Sequence, residues 1–172
     1  KELLGKYLVR RVDKQIIAVR ITETEAYCGT EDKACHAYKG LTERTKVMFG
    51  PSGHAYIYLI YGMHHCLNVV TEKEGKPAAM LIRGVEVSGI KNKNKKIRNT
   101  KYKIQNTKLD GPGKLCRALK IDKRLNGIDL CKSRELWIED SGEKPPKVIN
   151  RGKRIGVDYA GKWKDKLWRF YL

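Results

Sequence analysis

The sequence predicts an α+β fold: a single domain over residues 1–172, built on a curved, mostly antiparallel, barrel-like β-sheet with short surrounding helices. Three observations predict it. Runs of β-branched and aromatic residues that alternate with period two outnumber helical patterns. Short clusters of Gly, Pro, Ser and Asp separate those runs, as hairpin connections require. Finally, 172 residues with 41% hydrophobic content suffice for one buried core, and no repeat or long linker divides them.

The elements follow in order. Gln15 to Thr24 alternates as a strand, with Ile17, Val19 and Ile21 on one face and Ile16, Ala18 and Arg20 on the other. Continuing that period places Glu23, Glu25 and Tyr27 on the face of Val19 and Ile21, where carboxylates would point toward a cavity. One β-bulge reverses this assignment. Gly50-Pro51-Ser52-Gly53 is a turn that launches a strand from His54 to Ile60. Tyr61-Gly62-Met63 interrupts the run and Cys66 to Thr71 resumes it, which predicts a hairpin with Tyr61 near its tip. Ala78 to Val87 is a further strand. Asp110-Gly111-Pro112-Gly113 turns into a short helix from Lys114 to Leu119 that ends at Lys120. Leu136 to Ile138, Lys147 to Ile149 and Leu167 to Leu172 complete the strands. Lys91 to Lys108 carries eight Lys/Arg and no acid, and is expected as a flexible loop or frayed helix that guides phosphates.

Composition narrows the partners. Lys and Arg total 37 against 19 Asp and Glu, for a net charge of +18 and a pI near 9.8. An excess of that size is the electrostatic footprint of polyanion binding. A membrane partner is not expected: there is no basic amphipathic helix with a long apolar face, no apolar run of spanning length and no signal peptide. The five cysteines, Cys28, Cys35, Cys66, Cys116 and Cys131, are odd in number and lack CxxC spacing. Neither a disulfide framework nor a zinc ribbon is expected, and a reducing compartment suits them. His64-His65-Cys66 makes a poor metal cluster because adjacent residues rarely converge on one ion. No metal or cofactor is expected. The start at Lys1, without methionine, leads us to expect a short further segment upstream.

The stretch Tyr56-Ile57-Tyr58-Leu59-Ile60-Tyr61-Gly62-Met63 puts three tyrosines in eight residues. Aromatic faces stack on any base, and Lys/Arg release the counterions condensed on phosphates, so the ring cluster and the charge together point to nucleic acid. Tyr56 and Tyr58 share a face and can serve as core. Tyr61, at a tip with little to pack against, suits a wedge entering a base stack. Glu23 and Glu25, followed by Tyr27 and His36 and with Arg83 on a later strand, raise hydrolysis: if Arg83 meets Glu25, a carboxylate near an arginine stays ionised and can take a proton from water. The competing reading is a noncatalytic nucleic-acid-binding module in which these groups are structural, with single-stranded RNA as its ligand. A nucleoside hydrolase would leave the basic excess unexplained.

Thr22-Glu23-Thr24-Glu25-Ala26-Tyr27, then Asp32 and His36, resembles the first signature of the alkyladenine (methylpurine, or 3-methyladenine) DNA glycosylase family. Met48-Phe49, the Tyr56–Met63 run, Cys66-Leu67-Asn68 and Leu81-Ile82-Arg83 match its later motifs in order. Gly111-Pro112-Gly113-Lys114-Leu115-Cys116, Arg154-Ile155-Gly156-Val157, Trp163 and Arg169-Phe170-Tyr171 extend the match over nearly the whole chain. The resemblance implies a monofunctional glycosylase that flips damaged purines from double-stranded DNA and leaves an abasic site. It implies Glu25 as the general base, with Arg83 and the Ile155 carbonyl holding the water. Tyr27 would stack on one face of the base, and His36 and Tyr58 would close the other side. Ala34 and Cys66 would line the pocket, and Asn68 would exclude the amino group of guanine. Tyr61 would enter the minor groove, supported by Met63. The protein is expected to act as a monomer, in the cytoplasmic nucleoid of a prokaryote or the nucleus of a eukaryote. It departs from the family pattern at His64-His65, where aromatic residues are common, and at Thr45, where asparagine is expected after Arg44.

Overall fold

The computed structural model describes residues 1–87, 108–140, 142 and 144–172, together with the backbone of 90–92 and 95–97. In chain order the strands are β1 (Tyr7–Val12), β2 (Gln15–Cys28), β3 (Ala55–Ile60), β4 (His64–Thr71), β5 (Ala78–Glu86), β6 (Ile90–Asn92), β7 (Lys95–Ile97), β8 (Lys108–Asp110), β9 (Leu136–Glu139), β10 (Asn150–Gly152) and β11 (Arg169–Tyr171). One α-helix, α1 (Pro112–Ala118), and four 3₁₀ segments accompany them among the described residues. The fold is α+β, on a curled, half-barrel-like antiparallel sheet.

Nine strands form that sheet, ordered β10-β11-β2-β5-β4-β3, with β1 also on β2, β9 on β1 and β8 on β5. The 14-residue β2 is long enough to pair with β1 over its first half and β11 over its second. β5 serves β4 and β8 in the same way. One face of the sheet carries the main core, in which Leu8, Val19, Ile21, Leu67, Ile82 and Val85 meet Leu115 and Leu119 from the α1 region.

Two bulges decide where the acidic strand points. In the β2–β5 register Ile21 faces Val85 and Glu23 faces Gly84, which leaves Thr22 unpaired. Thr24 then faces Ile82, which leaves Arg83 unpaired. Beyond the bulge the phase of β2 inverts, and Ala26, rather than Glu25 or Tyr27, joins Ile17, Val19 and Ile21 in the core. The expectation that Glu23, Glu25 and Tyr27 share a face with Val19 and Ile21 is therefore corrected: they lie on the opposite face. An extra residue per strand costs the ladder one pairing and turns the following side chains over.

Smaller corrections follow. The helix begins at Pro112 rather than Lys114, because a proline's fixed φ and missing N–H suit the first turn. The strand expected at Lys147 to Ile149 instead runs over Asn150–Gly152, where β11 supplies the partner. Of the basic stretch expected as a loop or frayed helix, Ile90–Asn92 and Lys95–Ile97 pair as antiparallel strands and Lys108 begins β8; the remainder lies outside the described residues. No described helix is long and apolar enough to cross a membrane.

Ile82 is wholly buried at the sheet centre. Ile82→Ala should lower the free energy of unfolding by about 2–5 kcal/mol through lost burial and the cavity left behind, read from urea denaturation.

Candidate active site

The inverted phase of β2 assembles one transverse row of residues across five strands. Arg169 on β11 faces Glu25, Glu25 faces Leu81 on β5, Leu81 faces Asn68 on β4, and Asn68 faces Tyr56 on β3. Opposed residues on neighbouring antiparallel strands share a face. Side chains 144 residues apart in sequence, Glu25 and Arg169, thus converge away from the main core. A second, smaller packing group forms there, where Met48, Tyr56, Val70 and Ala79 meet the partly buried Tyr27 and Tyr58.

Glu25 is 1% exposed and fully engaged. Its Oε2 accepts from the Tyr27 hydroxyl at 2.9 Å and its Oε1 from the Ile155 N–H at 2.9 Å. Arg83 Nε stands 3.2 Å from Oε1. Burial pushes the Glu25 pKa above its ordinary value, opposed by the Ile155 N–H, the Tyr27 hydroxyl and the Arg83 charge. A carboxyl in that balance holds its proton more firmly than a surface one, as a base working near neutrality should.

The Tyr27 ring connects this carboxylate to the aromatic group. His36 and Tyr58 meet edge-on with centroids 4.4 Å apart, and His36 Nδ1 lies 2.8 Å from the Tyr56 hydroxyl. Burial, with Arg44 and Lys39 nearby, lowers the His36 pKa to about 4, so the ring is neutral at physiological pH. Asn68 is buried and donates through Nδ2 to the Tyr56 carbonyl at 3.0 Å. Ala34, Tyr27, His36, Tyr58 and Asn68 border a common space of about 20 Å³, room for one water rather than a ring system. Cys66 pairs with Tyr58 across the hairpin and is 2% exposed. Burial raises its thiol to about 11, which leaves it protonated.

The β3–β4 hairpin carries its tip away from this packing. Tyr61 has φ 50° and Gly62 φ 69°, and the Met63 N–H closes the turn on the Ile60 carbonyl at 3.1 Å. Positive φ at two central positions matches the twist of a tight hairpin, and glycine meets it freely while tyrosine does not. Tyr61 is 86% exposed and Met63 70%. All the residues singled out from the sequence except this pair thus gather around the Glu25–Tyr27 step, and the pair stands at the exposed tip of the same hairpin.

A model of the methylpurine-DNA glycosylase family matches residues 1–172. The chain belongs to that family. It is an enzyme of the DNA glycosylase class. A relative from Methanocella arvoryzae is 52% identical over 171 residues, which span 99% of this chain and 84% of that protein. Relatives from Natranaerobius thermophilus (46% identical) and Alkaliphilus oremlandii (51%) match all of this chain and 87% and 88% of their own lengths. All three carry a provisional designation as 3-methyladenine DNA glycosylases.

The site is braced by further groups whose pairing has no local signature in the sequence. Asp32 and Arg154 form a wholly buried bidentate pair, with N–O distances of 2.5 and 2.9 Å. Asp32 also accepts from the Cys28 and Ala34 N–H groups, and Arg154 donates to the Ala26 and Trp163 carbonyls. The Arg154 guanidinium lies 4.8 Å from the Tyr27 ring centroid and 5.0 Å from that of Trp168. The pair therefore fixes the loop bearing Ala34 and the segment bearing Ile155 on either side of Tyr27. Arg44 sits 5.4 Å from the centre of the Tyr58 ring. Tyr159, 71% exposed, follows the buried Val157 on the same segment as Ile155. Asp32 and Arg154 both appear in matching motifs, but 122 residues separate them and only the folded chain pairs them.

Removing one partner of a buried pair strands the other charge. Asp32→Ala should cost about 3–5 kcal/mol of stability, measured by thermal or urea unfolding, and a loss below about 1 kcal/mol would contradict this account.

Proposed function

We propose that this glycosylase everts damaged purines from duplex DNA and hydrolyses the N-glycosidic bond with a water activated by Glu25, leaving an abasic site. The observation that carries the reading is the buried Glu25 carboxylate, held by Tyr27, Ile155 and Arg83 beside a group of aromatic rings. Substrates would be 3-methyladenine and 7-methylguanine, with hypoxanthine and ethenoadenine as neutral alternatives. The family match and the relatives' designations support this class. One domain acting as a monomer accounts for the whole reaction, and the prokaryotic relatives favour a nucleoid location.

The energies are consistent. Eversion costs a few kcal/mol, and a damaged base pays less because its pairing is already weakened. Tyr61 offsets part of the cost by filling the vacated stack, supported by Met63. Stacking on Tyr27, with His36 and Tyr58 on the other side, returns about 1–3 kcal/mol. A base seated there widens the 20 Å³ space between the rings. Ala34 and Cys66 would border it, and Asn68 would turn away the amino group of unmodified guanine. An N-alkylated purine is cationic, which adds about 0.5–2 kcal/mol against the aromatic faces and makes the base a good leaving group. The protein then has to deliver water to C1′ and stabilise positive character on the sugar, and an ionised Glu25 does both. Arg83 and the Ile155 carbonyl would hold the water.

Glu25→Gln should reduce single-turnover release of 7-methylguanine by at least about 100-fold while lesion binding survives; near-normal release would remove Glu25 from the mechanism. In the wild type the rate should fall on acidification with a midpoint above the ordinary carboxylate value of about 4.3, because the buried carboxylate protonates early. Alkali treatment after reaction should cut methylated duplexes at abasic sites, and borohydride should trap no covalent adduct.

Tyr61 holds a backbone conformation that costs a tyrosine about 1 kcal/mol. Tyr61→Gly should therefore keep or slightly raise stability in urea, yet lower the fluorescence of a 2-aminopurine opposite the lesion that reports eversion. Unchanged fluorescence would assign the wedge elsewhere.

A further inference from the structure

Glu23 has no part in the mechanism above, yet it stands inside the electrostatic frame of the base. Its Oε1 lies 3.7 Å from Arg83 Nε, the same nitrogen that stands 3.2 Å from Glu25 Oε1. The Arg169 guanidinium approaches the same Glu23 oxygen at 3.2 Å. The backbone builds this arrangement deliberately. The bulge at Thr22 turns Glu23 out of the main core together with Glu25, and the bulge at Arg83 lets the arginine approach both carboxylates. Glu23 faces Gly84, where an added Cβ would come within 3.0 Å of the Glu23 Cβ and 3.2 Å of its Oε2. A side chain at position 84 would thus displace Glu23 from Arg83. Glu23 is 15% exposed and Arg83 16%, so their charges are only partly screened.

We infer that Glu23 is a positioning residue that draws part of the Arg83 charge away from Glu25 and so keeps the general base strong enough to deprotonate water. Two cations and two carboxylates share this corner, and Arg83 alone touches both acids. Held wholly by Glu25, Arg83 would stabilise its ionised form and make it a poorer proton acceptor. Shared with Glu23, it orients Glu25 without suppressing its basicity, and Arg169 keeps Glu23 from taking Arg83 completely. The other groups facing Glu25 are the Tyr27 hydroxyl and the Ile155 N–H, with Cys66 on β4 and Arg154 within electrostatic range. None of these is a second partner of Arg83 among the described contacts.

This inference rests on Glu25 being the base, and the test separates the two. Single-turnover release of 7-methylguanine from a duplex is followed against pH. That base is already cationic, so the acid limb reports the protein and not protonation of the leaving group. Glu23→Gln removes the competing carboxylate at nearly constant shape, and Arg169→Gln releases Glu23 toward Arg83. The expected result is an acid limb displaced by about half to one pH unit toward lower pH in Glu23→Gln, with a plateau about 3–10-fold lower. In Arg169→Gln the limb should move toward higher pH, and Glu23→Asp should restore most of the wild-type profile. A merely structural Glu23 would lower the rate equally at every pH with the limb fixed, and that result overturns the inference. Should Glu23→Gln fail to fold by circular dichroism, the Arg169→Gln limb decides: a shift upward supports the inference, and no shift or a shift downward overturns it. Failure of the underlying reading looks different, as a wild-type rate without an acid limb or a Glu25→Gln enzyme that still releases the base.

Discussion

A carboxylate buried to 1% exposure is an expensive group, and the architecture around Glu25 is arranged to keep it. Removing such an ion from water costs several kcal/mol even after relaxation, and the charge survives only where hydrogen bonds and a counter-ion replace its hydration. Here the replacements come from three places in the chain: the Tyr27 hydroxyl on the same strand, the Ile155 N–H from the C-terminal segment, and Arg83 from the neighbouring strand. Because each donor is fixed by the fold, the carboxylate would need little reorganisation in the proposed reaction. That is the economy expected of a preorganised hydrolytic site.

Each donor depends on a specific structural device. Arg83 reaches Glu25 from a bulge in β5, opposite the Thr22 bulge that turns Glu25 out of the main core. Ile155 is held by its neighbour Arg154, whose pairing with Asp32 also fixes the loop of Ala34 and places a guanidinium against the Tyr27 ring. The hairpin that contributes Tyr58 and Cys66 to the ring group ends in the strained, exposed Tyr61. The buried carboxylate, the aromatic group and the exposed hairpin tip are therefore carried by one sheet. The +18 net charge of the chain supplies the long-range attraction to the phosphates around it.

Local patterns were the legible part of the sequence. The β3–β4 hairpin and its tip follow from a β-branched, aromatic run broken by Tyr61-Gly62, and β5 and β9 fall where alternation places them. Motif resemblance grouped Glu25, Tyr27, His36, Tyr58, Cys66, Asn68 and Arg83; the sheet brings the strand residues together, and the 3₁₀ segment His36–Lys39 adds His36. What stayed hidden were features without a local signature. A bulge is a single extra residue that leaves composition unchanged, so the simple period put Glu25 on the wrong face. The Asp32–Arg154 pair spans 122 residues, and the link of Glu23 to Arg169 spans 146, distances at which sequence offers no register. The misplaced strand at Lys147 to Ile149 has the same origin: β10 forms where β11 offers a partner, and not where propensity peaks.

The protonation state of Glu25 tests this account most directly. Carboxyl ¹³C NMR of glutamate-labelled protein, with the resonance assigned by its absence in Glu25→Gln, follows that group through a pH titration. The account predicts a midpoint above the ordinary value of about 4.3 and an ionised carboxylate at pH 7. A Glu25 resonance still protonated at pH 7, or one titrating like a surface glutamate, would contradict it.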